Sequence, residues 1–103
     1  MAKPALAKEL EARILDLTDV VAKKSRHSSQ TAFYRGKREF AHFHGPGEID
    51  IRITKPKVKN LKADYRLEIS KPARDWIVAH FETEEDLDFV FKLVEAAYKA
   101  NRG

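Results

Sequence analysis

Two histidines stand one residue apart in "EFAHFHGPGEIDIRI", the stretch that spans residues 39–53. An imidazole can act as a general base or bind a metal ion, and a neighbouring carboxylate fixes its tautomer and raises its basicity. Asp50 supplies such a carboxylate within a run where isoleucines alternate with charged residues, the pattern of a half-buried strand. The stretch therefore holds the parts of a base and its orienting acid.

The glycines at positions 45 and 47 flank a proline and predict a three-residue hairpin loop that sets His44 opposite Glu48. The same register pairs His42 with Asp50. Residues opposite each other share a face of a sheet, so the isoleucines, with Ala41 and Phe43, are expected under the helices. The other side of the sheet, which we call the open face, is then expected to carry Phe40, His42, His44, Glu48, Asp50 and Arg52.

Roles for these side chains follow from their chemistry. We predict His42 as a general base and Asp50 as the carboxylate that orients it, the two candidate catalytic residues. Arg52 could hold an anionic oxygen through two hydrogen bonds. The candidate ligand-binding residues are Phe40, His44, Arg52, Trp76 and His80.

Three interpretations of the histidines stay open at this level. They could be structural or surface residues, or they could line a pocket for a small organic ligand. Alternatively, His42 and His44 could be two metal ligands, with His80, Asp50 or Glu48 completing the set. His-x-His is a weak signal alone, so the prediction is a pocket with neither cofactor nor metal. Composition and spacing name no reaction.

The composition indicates a single domain over residues 1–103, without cysteine and therefore without disulfides or cysteine zinc sites. The apolar runs are too short for a signal peptide or a membrane span. These features predict a cytoplasmic protein without a membrane partner. One methionine and many lysines and glutamates also fit a thermophilic source.

Basic residues are concentrated in "KPKVKNLK", which contains Lys55, Lys57, Lys59 and Lys62. Such a run could contact phosphate, and this makes a nucleic-acid-binding module one alternative function. No aromatic residue is interleaved as a stacking platform, so a solvated helix face is favoured and nucleic acid is an unlikely partner. A second alternative is a homodimeric interaction domain with an apolar patch around Phe40 and Trp76; the chain is predicted to be a monomer or a homodimer.

Hydrophobic periodicity predicts a long helix over 4–24, with Leu6, Leu10, Ile14, Leu17 and Val21 on one stripe. Strands are expected at 31–35, 38–44, 48–54, 65–70 and 75–81, a short helix at 56–62, and a final helix after the N-cap Thr83. This order, α-β-β-β-α-β-β-α, predicts an α+β two-layer sandwich. Its antiparallel five-stranded sheet would carry both long helices on one face, as in secretion-chaperone-like folds.

Over residues 31–100 the chain resembles the luciferase-domain family of small bacterial and archaeal proteins and a domain of fungal luciferases. That family shows a Gly-His-x-His-Gly-x-Gly-x-x-Asp pattern, then a tryptophan strand and an acidic helix start. Ala41 stands where a glycine is usual. The fungal members oxidise a pyrone-type luciferin with molecular oxygen. The resemblance implies a relation to proteins with this activity. The matching positions are His42, His44, Gly45, Gly47, Asp50, Trp76, Asp86 and Tyr98.

Overall fold

The computed structural model describes residues 4–24, 30–45, 47–53, 66–68 and 76–101. The predicted short helix at 56–62 and the lysine run lie outside these ranges, as do residues 65, 69 and 70 of the predicted strand at 65–70. The described residues form two helices and six strands: α1 (Pro4–Leu15), β1 (Val20–Lys24), β2 (Thr31–Arg35), β3 (Arg38–Gly45), β4 (Glu48–Arg52), β5 (Leu67–Glu68), β6 (Trp76–His80) and α2 (Glu84–Ala100).

The strands form one antiparallel sheet in the order β1-β2-β3-β4-β6-β5. Both helices lie on the same side: α2 packs on β3, β4 and β6, while α1 packs on α2 and β1. The predicted α+β sandwich is therefore confirmed. Its core lies between the two layers and contains, among others, Leu10, Ile14, Phe33, Ile49, Ile51, Ile77, Phe81, Leu87, Val90 and Val94.

The sheet has six strands rather than the predicted five because the first helix ends earlier than its hydrophobic stripe. α1 stops at Leu15, and Asp19 adopts a φ of 64°, a left-handed conformation that no helix continues through. The valines that follow favour a strand, and β1 pairs with β2 along its whole length. Val21, predicted to be buried on the helix stripe, is 50% exposed.

The predicted start of the last helix is confirmed in atomic detail. Thr83 is the N-cap, and its hydroxyl oxygen accepts a hydrogen bond from the Asp86 backbone N–H at 3.2 Å. The Asp86 carboxylate accepts in return from the backbone N–H groups of Glu82 and Thr83, at 2.9 and 3.2 Å. This reciprocal capping box satisfies N–H groups that have no partner within the helix.

The predicted hairpin register is confirmed in the middle of β3 and β4. Ala41 pairs with Ile51, His42 with Asp50, and Phe43 with Ile49. The register is wrong at the loop end: Glu48 pairs with Gly45, so His44 is an extra residue in β3. A bulge of this kind inserts one unpaired residue and shifts the register beyond it by one.

A second bulge changes the predicted face of Phe40. Phe33 pairs with Ala41, but the next residue of β2, Tyr34, pairs with Glu39, which leaves Phe40 as the extra residue. Phe40 and Ala41 therefore both lie in the core. Phe40 is fully buried, with its ring centroid 5.9 Å from that of Tyr98. Its predicted position on the open face, as a ligand contact and as half of an apolar patch, is wrong.

We predict that Asp86→Asn lowers the free energy of unfolding at neutral pH by about 2 kcal/mol, since it removes charge-assisted capping bonds. Burial raises the pKa of Asp86, but hydrogen bonds from the Glu82 and Thr83 backbone and the nearby Arg66 lower it below its ordinary value overall. A lowered carboxylate pKa stabilises the fold above the unfolded-state pKa, and this stabilisation is lost as pH falls through the folded-state pKa.

Chemical denaturation across a pH series measures this effect. The difference between wild type and variant should shrink below about pH 4. Asp88→Asn is the matched control: this neighbour pairs with Arg13 but is exposed, so the loss should stay below about 1 kcal/mol. An equal loss in both variants would contradict the capping role.

The buried position of Phe40 leads to a second prediction. Phe40→Ala should lower the free energy of unfolding by about 3–5 kcal/mol, as for a fully buried phenylalanine. Phe43→Ala should cost less because that ring is only partly buried against the core. Urea denaturation of both variants checks the order, and a Phe40→Ala loss near zero would place the ring in solvent.

Candidate functional site

The bulge at Phe40 also determines which polar groups reach the open face. Because one extra residue shifts the alternation of β3, the side chains of Glu39 and His42 lie on the same side of the sheet. Both are more than nine-tenths buried. The nearest carboxylate oxygen of Glu39 lies 3.7 Å from His42 Nδ1, too far for a hydrogen bond. His42 thus has a carboxylate near each ring nitrogen.

The second carboxylate belongs to Asp50, directly opposite His42 on β4. Asp50 Oδ2 lies 2.8 Å from His42 Nε2, the distance of a charge-assisted hydrogen bond. An ionised carboxylate only accepts, so His42 Nε2 carries the hydrogen and donates it. The lone pair of the neutral imidazole is then on Nδ1. The predicted cross-strand pairing of His42 and Asp50 is confirmed.

Trp76 lies against the imidazole of this pair. It lies on β6, two strands away from His42, and its ring centroid is 5.1 Å from that of the imidazole. Arg52, opposite Trp76 on β4, has its guanidinium carbon 6.0 Å from the indole centroid. An aromatic ring beside a guanidinium can hold a flat ligand that also carries an anionic group.

Farther along the open face, towards the β3–β4 loop, lies a more exposed set of imidazoles and carboxylates. His44 Nδ1 is 3.2 Å from Asp50 Oδ2, so this one oxygen accepts from both His42 and His44. His80 lies opposite Glu48 on β6, and its Nε2 is 2.9 Å from a carboxylate oxygen of Glu68. Asp50 therefore joins the buried and the exposed parts of the face.

Hydrogen bonding shifts the pKa values of Asp50 and His44 in opposite directions. Burial raises the pKa of Asp50, but hydrogen bonds from His42 and His44 lower it below its ordinary value overall. The hydrogen bond to Asp50 and the charge of that carboxylate raise the pKa of His44. Asp50 is accordingly the anionic centre of the face at neutral pH.

Of the seven predicted site residues, the structure brings six onto the open face and excludes Phe40. Sequence reasoning missed Glu39. The sequence contains a signal for the position of Glu39. Strict alternation from Ala41 would bury the Glu39 carboxylate under the helices and expose Phe40, and burial of the carboxylate has a high desolvation cost. A bulge between the two residues removes that conflict. The six residues are His42, His44, Asp50, Arg52, Trp76 and His80.

Two features are absent from the described part of the chain. Among the described residues, no group of three or more histidine, aspartate or glutamate side chains could hold a metal ion. No helix in the described part of the chain is long and apolar enough to cross a membrane.

The shared oxygen of Asp50 makes a prediction about His44. In chelator-treated protein, Asp50→Asn should lower the pKa of His44 towards its ordinary value, because the hydrogen bond and the charge that raise it are lost. Imidazole signals followed by NMR during a pH titration measure this. Glu48→Gln is the control and should produce a smaller fall, since its carboxylate is 4.0 Å from the His44 ring. An unchanged pKa in Asp50→Asn would contradict the contact.

The geometry can be compared with known proteins. A family model described as "Luciferase domain" matches residues 37–97, which include β3, β4, β6 and most of α2. No significant match to a curated protein or to a solved structure was found. The matched segment holds every group of the open face from Glu39 to His80, together with the capped helix behind it. The chain belongs to the luciferase-domain family.

Proposed function

We propose that the protein binds a small aromatic or anionic organic ligand on the open face, at the buried part formed by Glu39, His42, Asp50, Arg52 and Trp76. His42 and Asp50 are the central pair, and Trp76 and Arg52 are the groups that would contact the ligand's ring and its charge. His44 and His80 flank this part on the exposed side. No metal is required for this function.

One observation supports the proposal most directly. His42 Nδ1 and Asp50 Oδ1 are buried side-chain atoms without a hydrogen-bond partner among the described residues. A buried polar atom left without a partner costs about 1–3 kcal/mol. A purely structural histidine would gain stability from a partner at Nδ1. A buried nitrogen without a partner in the protein is available to a bound group such as a ligand, an ion or a water molecule, or to a catalytic role.

The position of Trp76 determines how a ligand could approach. Its ring lies against His42, with the two ring centroids 5.1 Å apart, so a ligand that binds at this imidazole would contact or displace the indole. A flat ligand could instead stack on the outer side of the indole. Either mode changes the surroundings of Trp76, the only tryptophan in the chain.

Charge restricts the orientation of an anionic ligand. Asp50 is anionic at neutral pH because its pKa is lowered by the two imidazoles, so an anionic group would be repelled from that end of the pair. The guanidinium of Arg52 beside Trp76 is the attractive position. The ligand's hydroxyl or carbonyl group would then face His42.

The same geometry supports a proton transfer. A ligand hydroxyl at His42 Nδ1 would give its proton to the lone pair, and the ligand would become the oxyanion. The resulting imidazolium would be stabilised through Nε2 by Asp50, at 2.8 Å. Binding is the function proposed; this transfer is the reaction step that the pair could perform on an acidic hydroxyl.

No specific observation supports either alternative function, the nucleic-acid-binding module or the homodimeric interaction domain. The apolar patch expected around Phe40 and Trp76 does not form, because Phe40 lies in the core. The lysine run lies outside the described residues.

The test is a fluorescence and NMR screen of chelator-treated protein with a panel of aromatic acids and phenols. Compounds that bind should change Trp76 fluorescence and shift backbone signals near His42 and Asp50. His42→Gln combined with Asp50→Asn should weaken binding at least about 10-fold, the cost of losing one to two polar contacts.

Lys23→Ala is the matched control. Lys23 is on β1, on the same face of the sheet as His42 and Asp50 but away from them, and its ammonium group lies over the ring of Tyr34. It should bind as the wild type does, and thermal unfolding should show that all variants are folded. Absence of binding from the whole panel, or binding that survives the double substitution, would overturn the proposal.

A further inference from the structure

We propose that Glu39 makes the buried part of the open face selective for a ligand that carries an amino group on an aromatic ring, as an amino-substituted aromatic acid does. This inference rests on the proposed function and names the class of ligand that the same site would prefer. Glu39 is the buried carboxylate on the Nδ1 side of His42.

The first argument is that two hydrogen-bond acceptors face each other beside the imidazole. His42 Nε2 donates to Asp50 at 2.8 Å, so the lone pair of the neutral ring lies on Nδ1. Nδ1 is buried and has no hydrogen-bond partner among the described residues. The nearest carboxylate oxygen of Glu39 is 3.7 Å from it. At that distance neither group donates to the other, as expected of two acceptors.

The second argument is that this separation suits one atom that donates to both acceptors. An atom about 2.9 Å from each of them would see the two acceptors about 80° apart. The N–H bonds of an amino group diverge by more than this, so both hydrogen bonds would be bent but would stay near the favourable range of angles. An amino group has the two hydrogens required, whereas a hydroxyl group has one. A hydroxyl group can bind at the same place, but it satisfies only one of the two acceptors.

Burial makes this difference selective. His42 and Glu39 are both more than nine-tenths buried, so water does not readily replace a missing hydrogen bond. A site built to hydrogen-bond a particular group rejects an analogue without it far more strongly than an apolar pocket rejects a change of size. We therefore expect the site to discriminate between ligands that differ only in an amino or a hydroxyl group.

The neighbouring side chains indicate the rest of the ligand. The indole of Trp76 lies against the imidazole, with ring centroids 5.1 Å apart, so an aromatic ring that carries the amino group would contact it. The guanidinium of Arg52, 6.0 Å from the indole centroid, is the position for an acidic group on the same ring. An amino group is much less acidic than a hydroxyl group, so this preference concerns binding and involves no proton transfer.

The test compares the meta and para isomers of aminobenzoate, hydroxybenzoate and methylbenzoate by calorimetric titration of the wild-type protein. These probes are similar in size, and their substituents offer two, one and no hydrogens for hydrogen bonding. The better amino isomer should bind at least about 10-fold more tightly than the matching hydroxy compound, which corresponds to one buried hydrogen bond. The methyl compound should bind most weakly.

Two variants test the carboxylate itself. In Glu39→Gln the new amide can donate to a hydroxyl oxygen, which favours the hydroxy compound. In Glu39→Leu only His42 Nδ1 remains as an acceptor, so the amino and hydroxy compounds should bind about equally. The ratio of the two affinities should fall at least about 10-fold in both variants. The ratio is the readout because a loss of stability would weaken both ligands together.

Glu68→Gln is the matched control, since it removes a carboxylate from the exposed part of the same face, where Glu68 contacts His80 at 2.9 Å; the ratio should stay at the wild-type value. Equal affinities of the wild type for the amino and hydroxy compounds, or a ratio unchanged by both Glu39 substitutions, would overturn the role of Glu39 and leave ligand binding intact. Absence of binding by all the benzoates would also overturn it. The proposed function would fail only if the wider panel of aromatic acids and phenols gave no binding either.

Discussion

The extra residue in β3 at Phe40 allows two consecutive side chains, Phe40 and Ala41, to face the helices. Without it, strict alternation from Ala41 would place the phenylalanine ring on the open face and the Glu39 carboxylate in the core, and both placements are costly. The bulge lets the ring join the core and turns Glu39 towards the same face as His42. The surroundings of His42 on the open face therefore depend on one local irregularity of the strand.

Burial changes along the open face, and this change separates its two parts. Around His42 the polar groups are nearly excluded from water, which strengthens each hydrogen bond and makes each missing partner costly. Around His44 and His80 the side chains are accessible and can adjust. Asp50 belongs to both parts because its Oδ2 atom accepts from His42 and from His44. A change in the hydrogen bond of either imidazole therefore affects the other, because both bonds share one oxygen atom.

Imidazoles and carboxylates alternate across the open face, from Glu39 through His42, Asp50 and His44 to Glu48 and, on β6 and β5, His80 and Glu68. This alternation keeps like charges apart and gives each of the three imidazoles a hydrogen-bond acceptor. It also leaves one nitrogen of each of three rings without a short contact. Those nitrogens are the chemically available groups of the face: one buried beside Trp76, and two exposed beside Glu48.

The sequence by itself determined the α+β sandwich, the capped last helix and the pairing of His42 with Asp50. These features rest on local signals, namely the alternation of Ile49, Ile51 and Ile53, the turn glycines and the Thr83 capping box. It did not determine the end of α1, where the helical stripe continued through residues that fold as an edge strand. Nor did it determine the faces of Glu39 and Phe40, because a bulge is decided by which side chain the helices and the neighbouring strand can accommodate. Only the tertiary structure brought His80 beside Glu48, since β6 joins β4 after a long connection and its register is fixed by packing beneath α2.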